Sequence, residues 1–232
     1  RSTVWKLWGI AQAINAGDCM FTMSHLAMLK LKDVIGFERT IKAAGLLQQA
    51  GIDITNGQYM DLSFETLKEV DLDLYIKMIT GKTASLIGCA TELGGVVGGA
   101  SALEEDILRQ FGISLGLAFQ AQDDWLGIWG DSALTGKSTE SDILSGKKTL
   151  PILYGLAQGG AFREKWMKGP IAAGEVSGVA KMLVDNGAQE YTQKMADKLT
   201  ADAVRGLDRL GYSNEAVDVL RELVSSLIRR QK

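Results

Sequence analysis

The chain has 232 residues, 46% of them hydrophobic, which is enough for one large domain with a substantial core. The formal net charge is −3 and no long basic run occurs, which argues against nucleic acid as a main partner. No uninterrupted apolar run reaches the roughly 18 residues that would indicate a membrane-spanning helix. Pro151 and Pro170 are the only two prolines, so almost nothing in the sequence interrupts helices.

Two long helices are predicted at the start of the chain. Residues 4–30 repeat apolar side chains at helical spacing and carry a thin polar face, which predicts a mostly buried helix. A second helix is predicted over 34–50, ending near Gly51. Residues 52–62 are expected to continue it after a kink.

Polar residues stand three positions apart at two places in these helices. Asn15 and Asp18 share one helix face, and so do Gln58 and Asp61. The first pair suits either a local polar contact or a role beside a cavity, and the sequence leaves both open.

The cysteines and the single histidine indicate no chemistry by their pattern. Cys19 and Cys89 lie in apolar helical surroundings, which indicates buried free thiols in a cytosolic protein. His25 is expected to be a packed helix residue, because no second histidine or cysteine cluster is present to complete a zinc site.

The segment 81–100 begins with Gly81, Lys82 and Thr83 and continues as a helix with almost no other charge. A lysine that leads such a helix needs water or an anion near its ammonium group. The likeness to a phosphate-binding P-loop is superficial. Ile76 stands where that motif requires a glycine, and no strand pattern precedes it.

Residues 101–131 predict a helix that carries two adjacent carboxylates near its end. Ser101 and Glu104 match a capping box at its start. Asp123 and Asp124 follow about five turns later, where negative charge opposes the helix macrodipole. Burying them unpaired would cost several kcal/mol, so a bound cation or nearby lysines are expected.

A polar loop over 132–149 follows this helix and carries Lys137, Lys147 and Lys148. Such a loop is too long for an ordinary helix connection and is often functional. The helix before it places several residues near one face: Gln120, Asp123, Asp124, Gly127 and Asp131.

The rest of the chain predicts ordinary amphipathic helices, over roughly 150–158, 172–185, 187–209 and 213–230. No strand pattern recurs anywhere in the sequence. The predicted fold is therefore all-α, a bundle of about eight to ten helices with ligand sites between them.

The acidic pair and the lysines suit a phosphorylated ligand held through a metal. Mg²⁺ prefers oxygen ligands and typically takes one or two carboxylates from protein, which Asp123 and Asp124 would supply. Lys82, Lys137 and Lys147 would neutralise the remaining phosphate oxygens. An apolar bundle around such a site implies a ligand with a phosphate end and an apolar remainder.

The motifs, taken in order, resemble those of the trans-isoprenyl diphosphate synthases, also called polyprenyl synthetases. The likeness extends from about residue 3 to 158, and later residues share only helical character. The blocks that carry it are AINAGD (13–18), GQYMDL (57–62), GKTASLI (81–87), GLAFQAQDDWLG (116–127), GD (130–131), TGK (135–137), SDI (141–143) and GKKTLP (146–151).

The resemblance implies an all-α, isoprenoid-synthase-type helical bundle around a central cavity, with residues 1–232 as a single prenyltransferase domain. It implies Mg²⁺-dependent, head-to-tail condensation of an allylic diphosphate with isopentenyl diphosphate. It also implies a cytoplasmic homodimer.

The same resemblance implies roles for particular residues. Lys82, Thr83 and Gln120 would be catalytic, the last two beside the allylic carbon. Asp61 would support the site. The remaining assignments are diphosphate binding by Lys82, Lys137 and Lys147, a supporting, substrate-binding role for Gln58, and metal binding by Asp123 and Asp124.

Two departures from the family pattern stand out. The family's first aspartate-rich motif, DDxxD, lies upstream of the segment that resembles residues 4–9, and this chain starts just after it. We therefore expect the chain to lack the N-terminal helices and to be inactive alone. Gly127 stands where a third aspartate of the second motif is common, and Asp131 could compensate through water.

Two other functions compete with a synthase. A terpene cyclase on the same fold would ionise a diphosphate without adding isopentenyl diphosphate. A non-catalytic subunit would modulate a partner synthase, but it would be expected to lack the aspartates or lysines, and Asp123, Asp124, Lys82 and Lys137 are all present.

Overall fold

The computed structural model describes residues 2–67, 69–130 and 141–228, and every regular element within these ranges is helical. This confirms the all-α prediction. The helices are α1 (Val4–Leu29), α2 (Lys32–Phe64), α3 (Leu72–Ile79), α4 (Ser85–Gly98), α5 (Ala102–Trp129), α6 (Ser141–Leu144), α7 (Leu150–Gln158), α8 (Gly160–Trp166), α9 (Val176–Asp185), α10 (Ala188–Arg209) and α11 (Glu215–Ile228). A π-helical turn, Thr80–Ala84, joins α3 to α4, and a 3₁₀ turn, Ala173–Glu175, precedes α9.

The first two helices bend at different glycines from the one expected. Gly9 and Gly36 adopt φ angles of 83° and 79°, which glycine tolerates without the steric cost of a side chain. The predicted kink near Gly51 is wrong, because α2 runs through that position without a break. A Cβ at Gly51 would lie 3.6 Å from the Phe21 ring, an ordinary van der Waals distance, so α1 and α2 are neighbours at this position.

The prediction that the first helix is mostly buried is also wrong. No residue of α1 is buried, and Trp8 and Met20 are 65% and 72% exposed. Among the described residues, α1 packs mainly against α2, so most of its apolar surface has no neighbour. For the same reason Cys19 is exposed, contrary to expectation, whereas Cys89 on α4 is buried as predicted.

Helix α5 forms the centre of the bundle and packs most extensively against α10 and α4. Its predicted capping box is confirmed, with the Ser101 side chain and the Glu104 backbone in contact at the first turn. Phe111 and Leu115 on α5 are buried against Leu207 of α10. This packing fixes the orientation of the helix that carries the two predicted aspartates.

The predicted C-terminal helices are all present, but the sequence missed α8. Gly159 and Gly160, both with positive φ, separate α7 from α8. A glycine pair weakens the helical pattern on both sides, and Phe162 is the only residue of the short α8 that is buried.

Two smaller expectations concern the first helix. The His25 ring packs 4.5 Å from the Phe21 ring, as a helix residue was expected to do. Asn15 makes a local contact, donating from its Nδ2 to Gln12 Oε1 at 3.3 Å.

Over the described part of the chain, no helix is both long and apolar enough to cross a membrane.

Candidate active site

The π-helical turn Thr80–Ala84 carries Lys82 and Thr83. Turns of this kind insert one extra residue into a helix and occur often at functional sites. Gly57 on α2 brings the backbone of this turn close, because a Cβ there would lie 2.7 Å from the Gly81 carbonyl carbon. Two glycines therefore set the position of the lysine and the threonine relative to α2.

Lys82 forms an ion pair with Asp61, four residues beyond Gly57 on α2. The side chains are 33% and 20% exposed, so the pair lies at the edge of solvent rather than in the core. Of the two partners that the sequence left open for this lysine, water or an anion, the structure shows an anion from the protein itself. The structure places Asp61 as direct support for Lys82.

Thr83 links the π-helical turn to α5. Its Oγ1 donates a hydrogen bond to Gln120 Oε1 at 2.9 Å, so two residues that were predicted to lie beside the allylic carbon are in contact. Asp123 stands three residues beyond Gln120 on the same helix and is partly buried. The lysine-bearing turn therefore lies against the helix that bears the acidic pair.

Asp124 is 1% exposed and is surrounded by protein donors. Its Oδ2 accepts hydrogen bonds from the Tyr75 hydroxyl and from the Leu150 backbone N–H, the latter at 2.8 Å. Its Oδ1 accepts from Gln120 Nε2 at 2.9 Å. Burial raises the pKa of Asp124 to about 6, although these hydrogen bonds and the charge of Lys147 act in the opposite direction.

Tyr75 on α3 is a site residue that the sequence analysis missed. It is 1% exposed, and its hydroxyl contacts Asp124. Burial and the nearby charge of Asp124 raise the pKa of the Tyr75 phenol well above its ordinary value, so the hydroxyl stays protonated and donates. The only sequence signal was general, namely that a buried tyrosine usually finds a partner for its hydroxyl.

Asp142 is a second residue that received no role from the sequence, although it lies in the SDI block. A Cβ at Gly127 would be 2.9 Å from its carboxylate carbon. The Asp142 carboxylate thus occupies space that a side chain at position 127 would fill. The position that lacks the third aspartate of the motif is close to a carboxylate from another part of the chain.

The other predicted substrate-binding residues differ in their surroundings. Lys147 is exposed, and Gln58 is exposed on α2. Lys148, the next residue, donates from its Nζ to the Phe64 carbonyl at the end of α2, at 2.5 Å. Lys137, predicted to bind diphosphate, and Asp131 lie outside the described residues.

Within the described ranges, no group of three or more histidine, cysteine, aspartate or glutamate side chains is arranged to hold a metal ion. The carboxylate oxygen donors that are present suit a hard cation such as Mg²⁺, which keeps waters and takes phosphate oxygens from its substrate. The carboxylates of the described residues therefore fit a metal that completes its coordination with phosphate oxygens and water.

The family model for polyprenyl synthetases matches residues 1–182. The chain belongs to the polyprenyl synthetase family. The (2E,6E)-farnesyl diphosphate synthase of Mycobacterium tuberculosis is 32% identical over 239 residues, which cover 100% of this polyprenyl synthetase chain and 66% of the relative. The geranylfarnesyl diphosphate synthase of Aeropyrum pernix is 31% identical, with coverages of 99% and 73%.

Solved structures of the family share the fold. The geranylgeranyl pyrophosphate synthetase of Pyrococcus horikoshii superposes with a TM-score of 0.90 at 28% identity, covering 98% of this chain and 70% of that one. The polyprenyl synthase of Caulobacter crescentus, solved with calcium and isoprenyl diphosphate, gives a TM-score of 0.85 at 27% identity, with coverages of 98% and 69%. This polyprenyl synthetase chain thus spans only part of the length of its relatives.

Proposed function

We propose that the protein is a polyprenyl diphosphate synthase that condenses an allylic diphosphate with isopentenyl diphosphate, and that residues 1–232 act as one prenyltransferase domain. The hydrogen bond from Thr83 to Gln120 carries the proposal, because it joins the turn that bears Lys82 to the helix that bears Asp123. Cationic and anionic side chains are therefore carried by two adjacent elements of the bundle, which supports a site for a diphosphate and its metal.

In the proposed reaction the C–O bond of the allylic diphosphate breaks, and its electron pair leaves with pyrophosphate. The double bond of isopentenyl diphosphate attacks the allylic cation to form a C–C bond, and a proton is lost to pyrophosphate. Lys82, Lys147 and Lys137 would hold the anionic oxygens of the leaving group, and Gln58 would contact the substrate from α2. The oxygens of Thr83 and Gln120 would lie beside the carbon that becomes positive.

We propose Mg²⁺ as the metal, held by Asp123 together with substrate oxygens. Bound Mg²⁺ would supply positive charge that stabilises the departing pyrophosphate. The Caulobacter crescentus relative was solved with calcium and isoprenyl diphosphate, which supports the use of a divalent ion. Asp124 was predicted as a second metal ligand. Its buried oxygens already accept hydrogen bonds from Tyr75, Gln120 and the Leu150 backbone. We therefore propose that Asp124 orients these groups.

The test is an assay of the complete gene product with Mg²⁺, labelled isopentenyl diphosphate and an allylic diphosphate. Labelled diphosphates of greater chain length would support the synthase. Unlabelled cyclic hydrocarbon would point to a terpene cyclase instead. Absence of turnover, together with enhancement of a partner synthase, would point to a non-catalytic subunit.

We also propose that the protein works as a homodimer in the cytoplasm. The exposed apolar side chains of α1 and of the first half of α2 support association, since soluble monomers rarely expose such contiguous surface. Both cysteines are free thiols, which suits a reducing compartment. Sedimentation of the purified gene product and fractionation of cells that express it would test the two proposals.

A further inference from the structure

Four side chains form a continuous series of hydrogen bonds from the core to the site. Tyr75 donates to Asp124, Gln120 donates to Asp124 at 2.9 Å, and Thr83 donates to Gln120 at 2.9 Å. The series begins on α3, passes through α5 and ends on the π-helical turn. Tyr75 and Asp124 are each 1% exposed, so water does not compete for these contacts.

The carboxylate fixes the direction of every bond in this series. An ionised aspartate only accepts hydrogen bonds, so Gln120 must turn its NH₂ group toward Asp124. Its carbonyl oxygen then faces Thr83, which must donate its single hydroxyl hydrogen. The Thr83 oxygen is left with lone pairs for whatever lies on its other side.

Tyr75 and the Leu150 backbone fix the carboxylate itself. Both donate to Oδ2, which has two lone pairs and is therefore fully engaged. The carboxylate cannot rotate without losing both bonds. Oδ1 is thereby held toward Gln120, and the amide orientation follows from it.

We infer that Tyr75 is a positioning residue for prenyl transfer: acting through Asp124 and Gln120, it holds the Thr83 hydroxyl so that its lone pairs face the carbon that becomes positive. The inference rests on the proposed function. A hydroxyl that presents its oxygen stabilises a developing cation, whereas one that presents its hydrogen opposes it. Tyr75 thus affects the reaction without touching the substrate.

The first experiment compares Tyr75→Phe with Tyr191→Phe in the complete gene product with Mg²⁺. The first variant removes the hydroxyl that contacts Asp124, and the control removes one from α10. We expect Tyr75→Phe to lower kcat roughly 10-fold or more, with KM for both substrates within about twofold, and Tyr191→Phe to change neither. An unchanged kcat in Tyr75→Phe would overturn the inference.

A double-mutant cycle then separates positioning from general support of the fold. In a Thr83→Val background the hydroxyl that the series orients is gone, so Tyr75→Phe should cause little further loss of kcat. An equal loss in both backgrounds would show that Tyr75 does not act through Thr83. A fluorinated allylic diphosphate adds a second readout, because Tyr75→Phe should slow its turnover more than that of the normal substrate.

If Tyr75→Phe does not fold, the Asp124→Asn variant provides a second test of the inference. The amide can donate to Gln120, which allows the whole series to reverse, so kcat should fall and the fall should vanish in the Thr83→Val background. A loss that persists in that background would contradict the inference. If the wild-type protein itself shows no prenyl transfer, the proposed function is refuted. Failure of the proposed function is therefore distinguishable from failure of the inference about Tyr75.

Discussion

Lys147 and Lys148 are neighbours in the sequence, yet the fold gives them different surroundings. Lys147 is exposed and its charge acts on Asp124, whereas Lys148 donates to the Phe64 carbonyl at the end of α2. A cation at a helix C-terminus satisfies a carbonyl that has no partner within the helix. The first lysine therefore stays accessible from solvent, and the second is expected to stabilise the fold.

Substitution of each lysine by methionine should separate these roles. We expect Lys147→Met to raise KM for the allylic diphosphate at least about 10-fold with little change in Tm, because the exposed side chain would lose its proposed contact with the diphosphate. Lys148→Met should lower the free energy of unfolding by about 1 kcal/mol and leave KM nearly unchanged. Steady-state kinetics and thermal unfolding would check this, and the reverse assignment of the two effects would contradict it.

Asp123 should matter for turnover more than for folding. It is partly buried and would be a metal ligand, so Asp123→Ala should lower kcat by about two orders of magnitude or more, with Tm nearly unchanged. Asp185→Ala, an exposed aspartate at the end of α9, is the matched control. Turnover that survives in Asp123→Ala with full Mg²⁺ dependence would exclude the metal assignment.

Gly57 is required by the contact between α2 and the π-helical turn. We expect Gly57→Ala to destabilise the fold by about 1–3 kcal/mol and to reduce activity, because the new methyl group would meet the backbone at Gly81 and Lys82. Gly178 on α9 has open space around it, so Gly178→Ala should stabilise by about 0.5–1 kcal/mol. Denaturant unfolding of both variants provides the measurement, and equal effects would contradict the packing argument.

At the scale of elements, Glu104 joins the start of α5 to the C-terminal part of the chain. The Ser101 and Tyr212 hydroxyls and the Ser101 backbone donate to it, and these bonds lower its pKa from 4.5 to about 2. The folded-state pKa lies below the unfolded one, so the contribution to stability is fully present above pH 4.5. It is lost as the pH falls toward 2.

Glu104→Gln should therefore flatten the acid dependence of stability. Between pH 4.5 and 2 the wild type should lose more stability than the variant, because the variant has no carboxylate to protonate. Urea midpoints measured across this range would show the difference. Glu164→Gln on α8 is the control, and a wild type and Glu104→Gln variant with parallel curves would contradict the assignment.

The start of α7 illustrates how a distant residue can replace a local cap. Thr149 stands at the N-cap position, where a threonine hydroxyl usually accepts a bond from the first turn. Its Oγ1 makes no hydrogen bond within the described residues, and Asp124 accepts from the Leu150 N–H instead. The capping box of α5 was predictable because both partners lie within one turn, whereas this cap was not.

At the scale of the whole molecule, α1 is little covered by the other helices that the structure describes. It buries no residue and packs mainly against α2, whereas α5 lies between α4 and α10. In the 232-residue chain alone, we expect backbone amides of 10–29 to exchange at least about 10-fold faster than those of α5. Hydrogen exchange followed by mass spectrometry would measure this.

The same experiment also tests the proposed homodimer. Protection of α1 that rises with protein concentration would indicate that a second copy covers it. Equal protection of α1 and α5 at high dilution would contradict the predicted faster exchange of α1, because packing against α2 alone leaves α1 exposed.

The sequence by itself determined the helical class, the capping box at Ser101 and the residue types that suit a diphosphate and its metal. Each of these depends on residues within a turn or two of one another, or on motifs matched in order along the chain. Only the tertiary structure decided that Asp61 pairs with Lys82, that Lys148 donates to the last carbonyl of α2, and that α1 is exposed. The contact between Tyr75 and Asp124 joins residues 49 positions apart, and such a partner is set by how helices pack, which no local pattern encodes.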